Sequence, residues 1–493
     1  MSHGRVPETT FHRAAGAPRG RVYAIRCSRR VHLGRRPANA RQIVSCSLAD
    51  RPLLAGRSSV IRYGKPMSSY RKRHAEHVIL DALEDTRVVI VNGARQSGKS
   101  TVVHRLISNR QDALERKLDR TNERAAARHD PMAFVDHDGL LVIDEIQRVP
   151  ELILPIKAQV DADNRPGQFL LTGSARLLGL RSLPDALVGR SETIELWPFS
   201  QGEIDGRFDR FVDAVFAEER SIQTAGVLTR NDYLDRALRG GFPEAIDRAG
   251  VRRARFFESY VRDLIDRDVT QLGEIQRRDE LDRLILLLAA RAATPLSIDG
   301  LSSELALSKN TVERYVAIFE EVFLVKRLPA WTNSATTRAT RARKLVFVDS
   351  GLCAHLAGAT VQRVARDPVR AGALLENFVI GELMRQLSWN DEFARVFHYR
   401  TRDGQEVDAV LEHHDGRIVA IEVKASSSVS GTDVRHLEHL REKTGERFHL
   451  GVVLYAGTQV LSFGDRILAA PIDTLWESAP VGGSLSGDTR GVV

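Results

Sequence analysis

Long apolar runs are absent from this 493-residue sequence, and no stretch approaches the roughly 20 apolar residues that a membrane-spanning helix needs. Cysteine is also scarce, because Cys27, Cys46 and Cys353 are the three present and none forms a CxxC pair. A disulfide framework or a zinc site is therefore not expected. No repeat with the period of a solenoid protein is present either. These absences, with 43% hydrophobic and 28% charged residues, favour a cytoplasmic globular protein with no membrane partner.

A net positive charge is lacking after residue 66. The formal net charge of the chain is +8, but residues 1–66 alone contain thirteen Arg and Lys65 against Glu8 and Asp50, a net charge of +12. The remainder of the chain therefore has a net charge of −4. Because the basic balance belongs to the first 66 residues, it does not by itself indicate nucleic-acid binding by the folded part.

The two ends of the chain have the composition of unfolded polypeptide. Residues 1–66 are rich in Arg, Ala, Gly and Ser without sustained periodicity, so we predict a disordered basic leader. Three alternatives stay open, namely a transit peptide, a nucleic-acid-binding arm, and a natural translation start at Met67. Residues 478–493, rich in Gly and Ser, predict a disordered tail.

A glycine-rich loop is the most informative local pattern. Residues 93–100 read GARQSGKS and lie between the apolar run 87–91 and an amphipathic stretch at 102–107. The GxxxxGK[ST] pattern lets backbone N–H groups turn toward phosphate oxygens, while the next helix presents its positive end. Lys99 should reach the β- and γ-phosphates of ATP, and the Ser100 hydroxyl should bind Mg²⁺. The predicted ATP contacts are Gly93, Ala94, Arg95, Gln96, Ser97, Gly98, Lys99, Ser100 and Thr101.

Further candidates for ATP hydrolysis follow other predicted strands. The run LLVIDEIQ places Asp144 to hold Mg²⁺ through water and Glu145 to act as general base, although the pair could also cap the next helix. Thr172 and Ser174 follow the run 169–171, where a hydroxyl could sense the γ-phosphate, hold the attacking water or cap a helix. Arg190 is a candidate arginine finger toward another copy in a homo-oligomer, or a surface arginine.

Apolar runs alternating with helical stretches predict an α/β fold with a parallel sheet in an ATPase domain over residues 67–205. Residues 206–345 predict a helical and winged-helix region, which ends in an extended basic stretch. DNA contact by this stretch and ordinary packing or subunit contact are both open. The basic residues of the stretch are Arg338, Arg341, Arg343 and Lys344.

Residues 346–477 predict a C-terminal α/β domain with acids near a lysine. Glu376 lies on a predicted helix, Asp408 on a strand, and Glu422 and Lys424 on one face of the strand 418–424. The spacing resembles that of PD-(D/E)xK nucleases, except that the proline of that motif is absent. The resemblance implies that Glu376, Asp408 and Glu422 hold Mg²⁺ while Lys424 stabilises developing charge. The alternative is a solvated salt-bridge group.

Several segments together resemble the prokaryotic AAA-type ATPases that carry a C-terminal DUF4143 domain. They are GARQSGKS, LLVIDEIQ, LLTGSA, LVGR before ELWPFS, GGFPE, EVDAVLE and IEVKAS. This resemblance implies ATP binding and hydrolysis and leaves the biological role and any protein partner open. Two hypotheses follow. The first is a Mg²⁺-dependent ATPase that acts on DNA through its C-terminal domain, and the second is a nucleotide-dependent switch whose C-terminal domain is catalytically silent.

Overall fold

The computed structural model describes residues 70–174, 187–218, 222–269 and 277–478. The predicted leader and tail therefore lie outside the described residues, apart from Ser478. From Ser69 onward the chain forms one compact unit. Among the helices within these described ranges, none has both the length and the apolar character that crossing a membrane requires.

A five-stranded parallel sheet confirms the predicted α/β fold of the ATPase region. Its strand order is β2-β3-β4-β1-β5, with every neighbouring pair parallel. The sequence did not reveal β2, because this edge strand is half-buried and reads ALERK. The strands are β1 (Val88–Asn92), β2 (Ala113–Lys117), β3 (Leu140–Asp144), β4 (Phe169–Thr172) and β5 (Ser191–Glu195).

Helices cover both faces of this sheet. Alternate residues of a strand point to opposite faces, so Ile90 packs on the side of Ile156 while Val91 packs on the side of Val102. Burial of both faces explains why β1, β3 and β4 read as continuous apolar runs. The helices are α1 (Ala75–Asp85), α2 (Lys99–Ile107), α3 (Thr121–His129), α4 (Pro131–Val135) and α5 (Ile153–Ala162).

The middle region is mostly helical, as predicted, and contains a small antiparallel sheet with the order β6-β8-β7. The strands are β6 (Thr294–Pro295), β7 (Val325–Leu328) and β8 (Lys344–Phe347). The helices are α6 (Gln201–Asp205), α7 (Phe211–Phe216), α8 (Arg230–Arg239), α9 (Pro243–Ile246), α10 (Gly250–Leu264), α11 (Arg278–Ala290), α12 (Ile298–Leu305) and α13 (Lys309–Glu321), with a π-helical turn at Ile265–Val269.

The basic stretch before β8 differs from the expectation. It contains a short helix, α14 (Ala335–Thr340), and Arg338 donates two hydrogen bonds of 2.5 and 2.8 Å to the Glu412 carboxylate. The Lys344 side chain is fully buried. For Arg338 and Lys344 the structure shows the alternative of packing within the chain, because carboxylates of the same chain pair with both cations. DNA contact by the stretch stays a prediction. A winged helix remains a prediction.

The C-terminal sheet has six strands in the order β13-β14-β12-β11-β10-β9. Strands β9 to β11 are antiparallel, whereas β11, β12 and β14 run parallel. The strands are β9 (Ala394–Arg400), β10 (Glu406–His413), β11 (Ile418–Lys424), β12 (Phe448–Tyr455), β13 (Leu461–Ser462) and β14 (Ile467–Pro471). The helices are α15 (Ser350–Leu356), α16 (Val361–Ala365), α17 (Pro368–Gln386), α18 (Gly431–Thr444) and α19 (Thr474–Glu477).

Two hydrophobic cores cross the predicted domain limits at 205/206 and 345/346. One contains Ala94 of the glycine loop together with Phe242 and other residues of the middle region. The other joins Tyr233 of α8 to Ile421 of β11 and Trp476 of α19. The three predicted regions therefore share buried apolar surface, and the exact limits between them remain a prediction.

Candidate nucleotide cleft and C-terminal acidic cluster

The glycine loop has a backbone that its glycines make possible. Gly93 has φ of +146°, and a Cβ placed there would lie 2.2 Å from the Leu196 carbonyl oxygen. Gly98 begins α2 with φ of +101°. Both values lie in the region that glycine adopts without steric cost. The loop thus passes close to the end of β5 and turns directly into the first helical turn.

Lys99 is held by its own loop. Its Nζ donates hydrogen bonds of 2.9 and 2.8 Å to the backbone carbonyls of Gly93 and Ala94. The side chain is almost fully buried, at 5% exposure. These two partners are uncharged, and the positive charge of Lys99 also acts on the Glu145 carboxylate.

Three side chains meet where β3 and β4 end. The Ser100 hydroxyl donates a 2.9 Å hydrogen bond to Asp144 Oδ1, and the Thr172 hydroxyl donates to the same oxygen. Thr172 Oγ1 also accepts the backbone N–H of Glu145 at 3.1 Å. Thr172 therefore fixes both acidic residues relative to each other. Sequence reasoning selected this threonine for contact with phosphate or water and missed its contact with the acids.

Glu145 occupies a left-handed backbone conformation, with φ of 62°. Such a conformation costs a non-glycine residue about 1–2 kcal/mol, so its surroundings must hold it there. Gln147 Nε2 donates to Glu145 Oε2 at 2.6 Å and to Ser174 Oγ at 3.0 Å. The Glu145 side chain does not cap the following helical turn.

The environment of Glu145 is suited to proton transfer. Burial raises the pKa of the Glu145 carboxyl, Lys99 opposes this shift, and Asp144 adds to it. A carboxyl whose pKa moves toward neutrality holds a proton more readily than an ordinary glutamate. The geometry therefore places an anionic Mg²⁺ ligand candidate, Asp144, next to a more basic carboxylate.

A cleft of about 740 Å³ opens in front of the loop. Five cationic side chains and three carboxylates line it, which leaves a net positive charge suited to a polyanion. Arg248 and Arg267 come from the middle region, and no motif marked them because their place in the cleft depends on long-range packing. The charged lining residues are Arg95, Lys99, Arg148, Arg248, Arg267, Asp119, Glu145 and Glu244.

Arg73 contacts the loop through a backbone carbonyl and was not selected from the sequence. Its Nη1 donates a 2.8 Å hydrogen bond to the Ser97 carbonyl, and its Nε donates at 3.0 Å to the Glu203 carboxylate. Arg73 and Glu203 are both buried. Because charged groups are stable in the interior only when paired, this contact fixes the loop relative to α6.

Arg190 lies immediately before β5 and pairs with Asp161 near the end of α5. Its Nη2 lies 3.1 Å from Asp161 Oδ2, and both side chains are partly exposed. This partner belongs to the same chain, and a role as arginine finger remains a prediction.

The second predicted site brings its four residues together. Glu376 lies on α17, Asp408 on β10, and Glu422 and Lys424 on β11. Asp408 Oδ2 accepts the Val423 N–H at 2.8 Å, and Lys424 Nζ lies 2.8 Å from Glu422 Oε1. With Glu406, these acids form what we call the C-terminal acidic cluster.

Lys344 enters this cluster from β8 and was not assigned to it from the sequence. Its Nζ lies 2.5 Å from Glu376 Oε1, 3.4 Å from Glu406 Oε1 and 3.7 Å from Asp408 Oδ1. Burial lowers the pKa of Lys344, but the carboxylates of Glu376 and Asp408 outweigh it and hold the pKa above its ordinary value.

Two acids of the cluster have raised pKa values because they are buried close to other carboxylates. Burial, and then the Asp408 carboxylate, raises the pKa of Glu422 to about 8 and raises that of Glu376 well above its ordinary value. Within the described residues, no group of three or more His, Cys, Asp or Glu side chains has an arrangement that could hold a metal ion. Glu376, Asp408 and Glu422 thus meet without forming the predicted three-ligand Mg²⁺ site.

Three family models match separate segments of the chain. A model described as an AAA domain matches residues 85–205, a domain of unknown function (DUF8612) matches 230–363, and a domain of unknown function (DUF4143) matches 371–475. Two uncharacterized proteins, from Mycobacterium bovis and Mycobacterium tuberculosis, are each 28% identical over 417 residues. Each match covers 83% of this chain and 86% of the relative.

Solved structures with some likeness include the Walker-type ATPase of Pyrococcus abyssi and the RuvB Holliday junction branch migration motor of Thermotoga maritima. The first is 14% identical, with a TM-score of 0.37, and covers 58% of this chain and 96% of its own. The second is 20% identical, with a TM-score of 0.23, and covers 52% of this chain and 87% of its own. At TM-scores below 0.5, neither likeness informs on function.

Proposed function

We propose that this chain, which contains an AAA domain at residues 85–205 and a DUF4143 domain at residues 371–475, is a Mg²⁺-dependent ATPase that works as a nucleotide-controlled switch. The observation that carries the proposal is the contact of Ser100 and Thr172 with Asp144, directly beside the glycine loop and its cationic cleft. This arrangement combines a phosphate cradle, a metal ligand pair and a general base.

ATP phosphates would bind along the loop. Lys99 would exchange the carbonyls of Gly93 and Ala94 for phosphate oxygens, because a charge-assisted hydrogen bond is stronger than one to a neutral carbonyl. The N–H groups at the start of α2 would add the favourable end of the helix dipole.

The side chains present fit a Mg²⁺ ion next to the phosphates. Ser100 Oγ and Asp144 Oδ1 already lie 2.9 Å apart, and both are hard oxygen ligands of the kind Mg²⁺ prefers. When bound with ATP, Mg²⁺ neutralises developing negative charge on the phosphates. Thr172 would keep the Asp144 carboxylate oriented toward the ion.

Glu145 would accept the proton of the attacking water. Its raised pKa favours proton uptake, and its hydrogen bond to Gln147 fixes the carboxylate. Gln147 also contacts Ser174, which gives this serine a positioning role in this proposal.

Arg248 and Arg267 provide the route from nucleotide to the rest of the molecule. Both line the cleft, yet they belong to the segment around α10, whose residues Phe256 and Phe257 pack in the core of the middle region. A phosphate group that attracts these arginines would therefore shift α10 and the core residues that it carries. Loss of the γ-phosphate would weaken that attraction.

The role of the C-terminal region is partner recruitment rather than nuclease activity in this proposal. The supporting observation is that Lys344 already pairs with Glu376 and lies near Asp408. Incubation of the protein with supercoiled plasmid and Mg²⁺ or Mn²⁺ should leave the plasmid intact. Cleavage by the wild type that Asp408→Ala and Lys424→Ala abolish would instead establish the DNA-processing alternative.

Lys99→Ala tests the ATPase directly. We expect phosphate release from Mg²⁺-ATP to fall by about 100-fold or more, the usual cost of losing a group that stabilises transition-state charge. Lys309→Ala is the matched control, because Lys309 is an exposed lysine paired with Asp299 far from the loop in sequence. Hydrolysis by Lys99→Ala at the wild-type rate would refute the assignment.

A further inference from the structure

The fully buried ammonium of Lys344 lies among three carboxylates, with Nζ to oxygen distances of 2.5, 3.4 and 3.7 Å. A lysine ammonium has three N–H donors and no acceptor, so it can satisfy several carboxylate oxygens at once. A divalent metal in a carboxylate site would require those same oxygens, because hard cations take oxygen ligands.

We infer that the ammonium of Lys344 is the resident cation of the C-terminal acidic cluster and occupies the place that a divalent metal ion would take. The cluster is then a metal-independent structural site. This inference concerns cation binding alone and holds or fails separately from ATP hydrolysis.

The backbone fixes the lysine in this place. Three residues after Lys344, the N–H of Phe347 donates to Asn377 Oδ1 at 2.7 Å, and Asn377 Nδ2 donates back to the Phe347 carbonyl at 3.2 Å. Asn377 is the immediate neighbour of Glu376 on α17. The strand that carries the ammonium and the helix that carries its closest carboxylate are therefore joined by two buried hydrogen bonds.

The charges already present in the cluster also disfavour binding of a divalent ion. Four carboxylates, those of Glu376, Glu406, Asp408 and Glu422, face the ammonium groups of Lys344 and Lys424, and Arg400 pairs with Glu406 at 3.3 Å. Three cations thus already oppose four acids. A metal ion added to this set would be repelled by the ammonium groups at short range in a weakly screened interior.

Glu422 has one buried carboxylate oxygen that neither lysine engages. Among the described residues, Glu422 Oε2 is buried and has no hydrogen-bond partner. Mg²⁺ or Mn²⁺ requires several oxygens from a protein site, and the Glu376 oxygen nearest to Lys344, Oε1, already accepts a hydrogen bond from the ammonium. Removal of the Lys344 ammonium would release oxygens of Glu376 and Asp408 beside it.

Manganese binding to the full-length, nucleotide-free protein tests the inference. Free Mn²⁺ is measured by electron paramagnetic resonance during a MnCl₂ titration. We expect wild type and Asp408→Asn to give the same titration curve, because the cluster takes no metal in either. Lys344→Met should bind one additional Mn²⁺ per chain, and the double variant Lys344→Met with Asp408→Asn should lose that ion. Lys344→Arg keeps a cation and should behave as wild type.

Two results would overturn the inference. One is a Mn²⁺ ion that wild type binds and Asp408→Asn does not, since the cluster would then hold metal with its lysine in place. The other is folded Lys344→Met that binds no additional Mn²⁺. If Lys344→Met does not fold, the comparison of wild type with Asp408→Asn still decides the matter.

Discussion

The nucleotide cleft and the C-terminal acidic cluster each bring a lysine close to carboxylates. The two lysines differ in the groups that their ammonium nitrogens contact most closely. Lys99 bonds to two neutral carbonyls and borders a cleft of about 740 Å³. Lys344 is fully buried and contacts three carboxylates. Lys99 thus lies at an open cleft, whereas Lys344 is enclosed among carboxylates of its own chain.

The acids differ in the same way. Hydroxyl groups of Ser100 and Thr172 donate to Asp144, so its negative charge is oriented without being cancelled. Glu376 receives its hydrogen bond from an ammonium group instead. The comparison teaches that convergence of acids and a lysine indicates a ligand site only where the charges have not already paired with one another.

The largest expected effect is a loss of ATP hydrolysis that occurs on substitution in the nucleotide cleft and not in the C-terminal acidic cluster. Glu145→Gln should reduce ATP hydrolysis by about 10²–10⁴-fold, the usual contribution of a general base, while ATP binding is retained. Phosphate release and binding of a fluorescent ATP analogue measure the two effects. Glu422→Gln is the matched control in the other site and should leave hydrolysis unchanged. A Glu145→Gln protein that hydrolyses ATP nearly as fast as wild type would remove Glu145 from the mechanism.

The next effect is on stability. Lys344→Met should lower the free energy of unfolding by about 3–5 kcal/mol, because it leaves buried carboxylates without their cation. Arg190→Ala should lower it far less, because its pair with Asp161 is exposed to solvent, which weakens the interaction. Denaturant unfolding measures both. Equal losses of unfolding free energy in the two variants would contradict the distinction between buried and exposed pairs. A stable Arg190→Ala protein would also allow its ATP hydrolysis to be measured, which tests the arginine-finger prediction.

A smaller effect depends on pH. The folded-state pKa of Glu422, about 8, lies above the ordinary value of 4.5. Its contribution to stability is therefore complete below about pH 4.5 and is lost as the pH rises through 8. Between pH 5 and 8, the melting temperature of wild type should fall by several degrees relative to Glu422→Gln. The exposed-site variant Glu446→Gln should follow wild type, and parallel curves for Glu422→Gln and wild type would contradict the shift.

Local patterns were sufficient to predict the sheet and the loop of the ATPase region. Strands β1, β3 and β4 are buried on both faces and therefore appear as uninterrupted apolar runs, and the glycine loop has a fixed spacing. The ExK spacing likewise predicted that Glu422 and Lys424 share a face of β11. These features depend on residues close together in the chain.

Long-range partners could not be predicted from those patterns. Lys344 meets Glu376 of α17 from strand β8, Arg73 reaches the Ser97 carbonyl from before α1, and Arg248 reaches the cleft from the middle region. Each of these residues stands in a sequence context that is equally compatible with a solvated surface cation. Tertiary packing alone decides which of them is buried and which partner it meets.

The hydrophobic core shared by α8, β11 and α19 bears on how such a protein can evolve. Tyr233 and Trp476 meet edge to face in this core with ring centroids 6.4 Å apart. Tyr233 lies in the segment that the DUF8612 model matches, and Trp476 directly follows the segment that the DUF4143 model matches. A recombination event that separated these segments would leave an apolar surface uncovered on each product. The middle and C-terminal segments should therefore be inherited together, as one unit of descent.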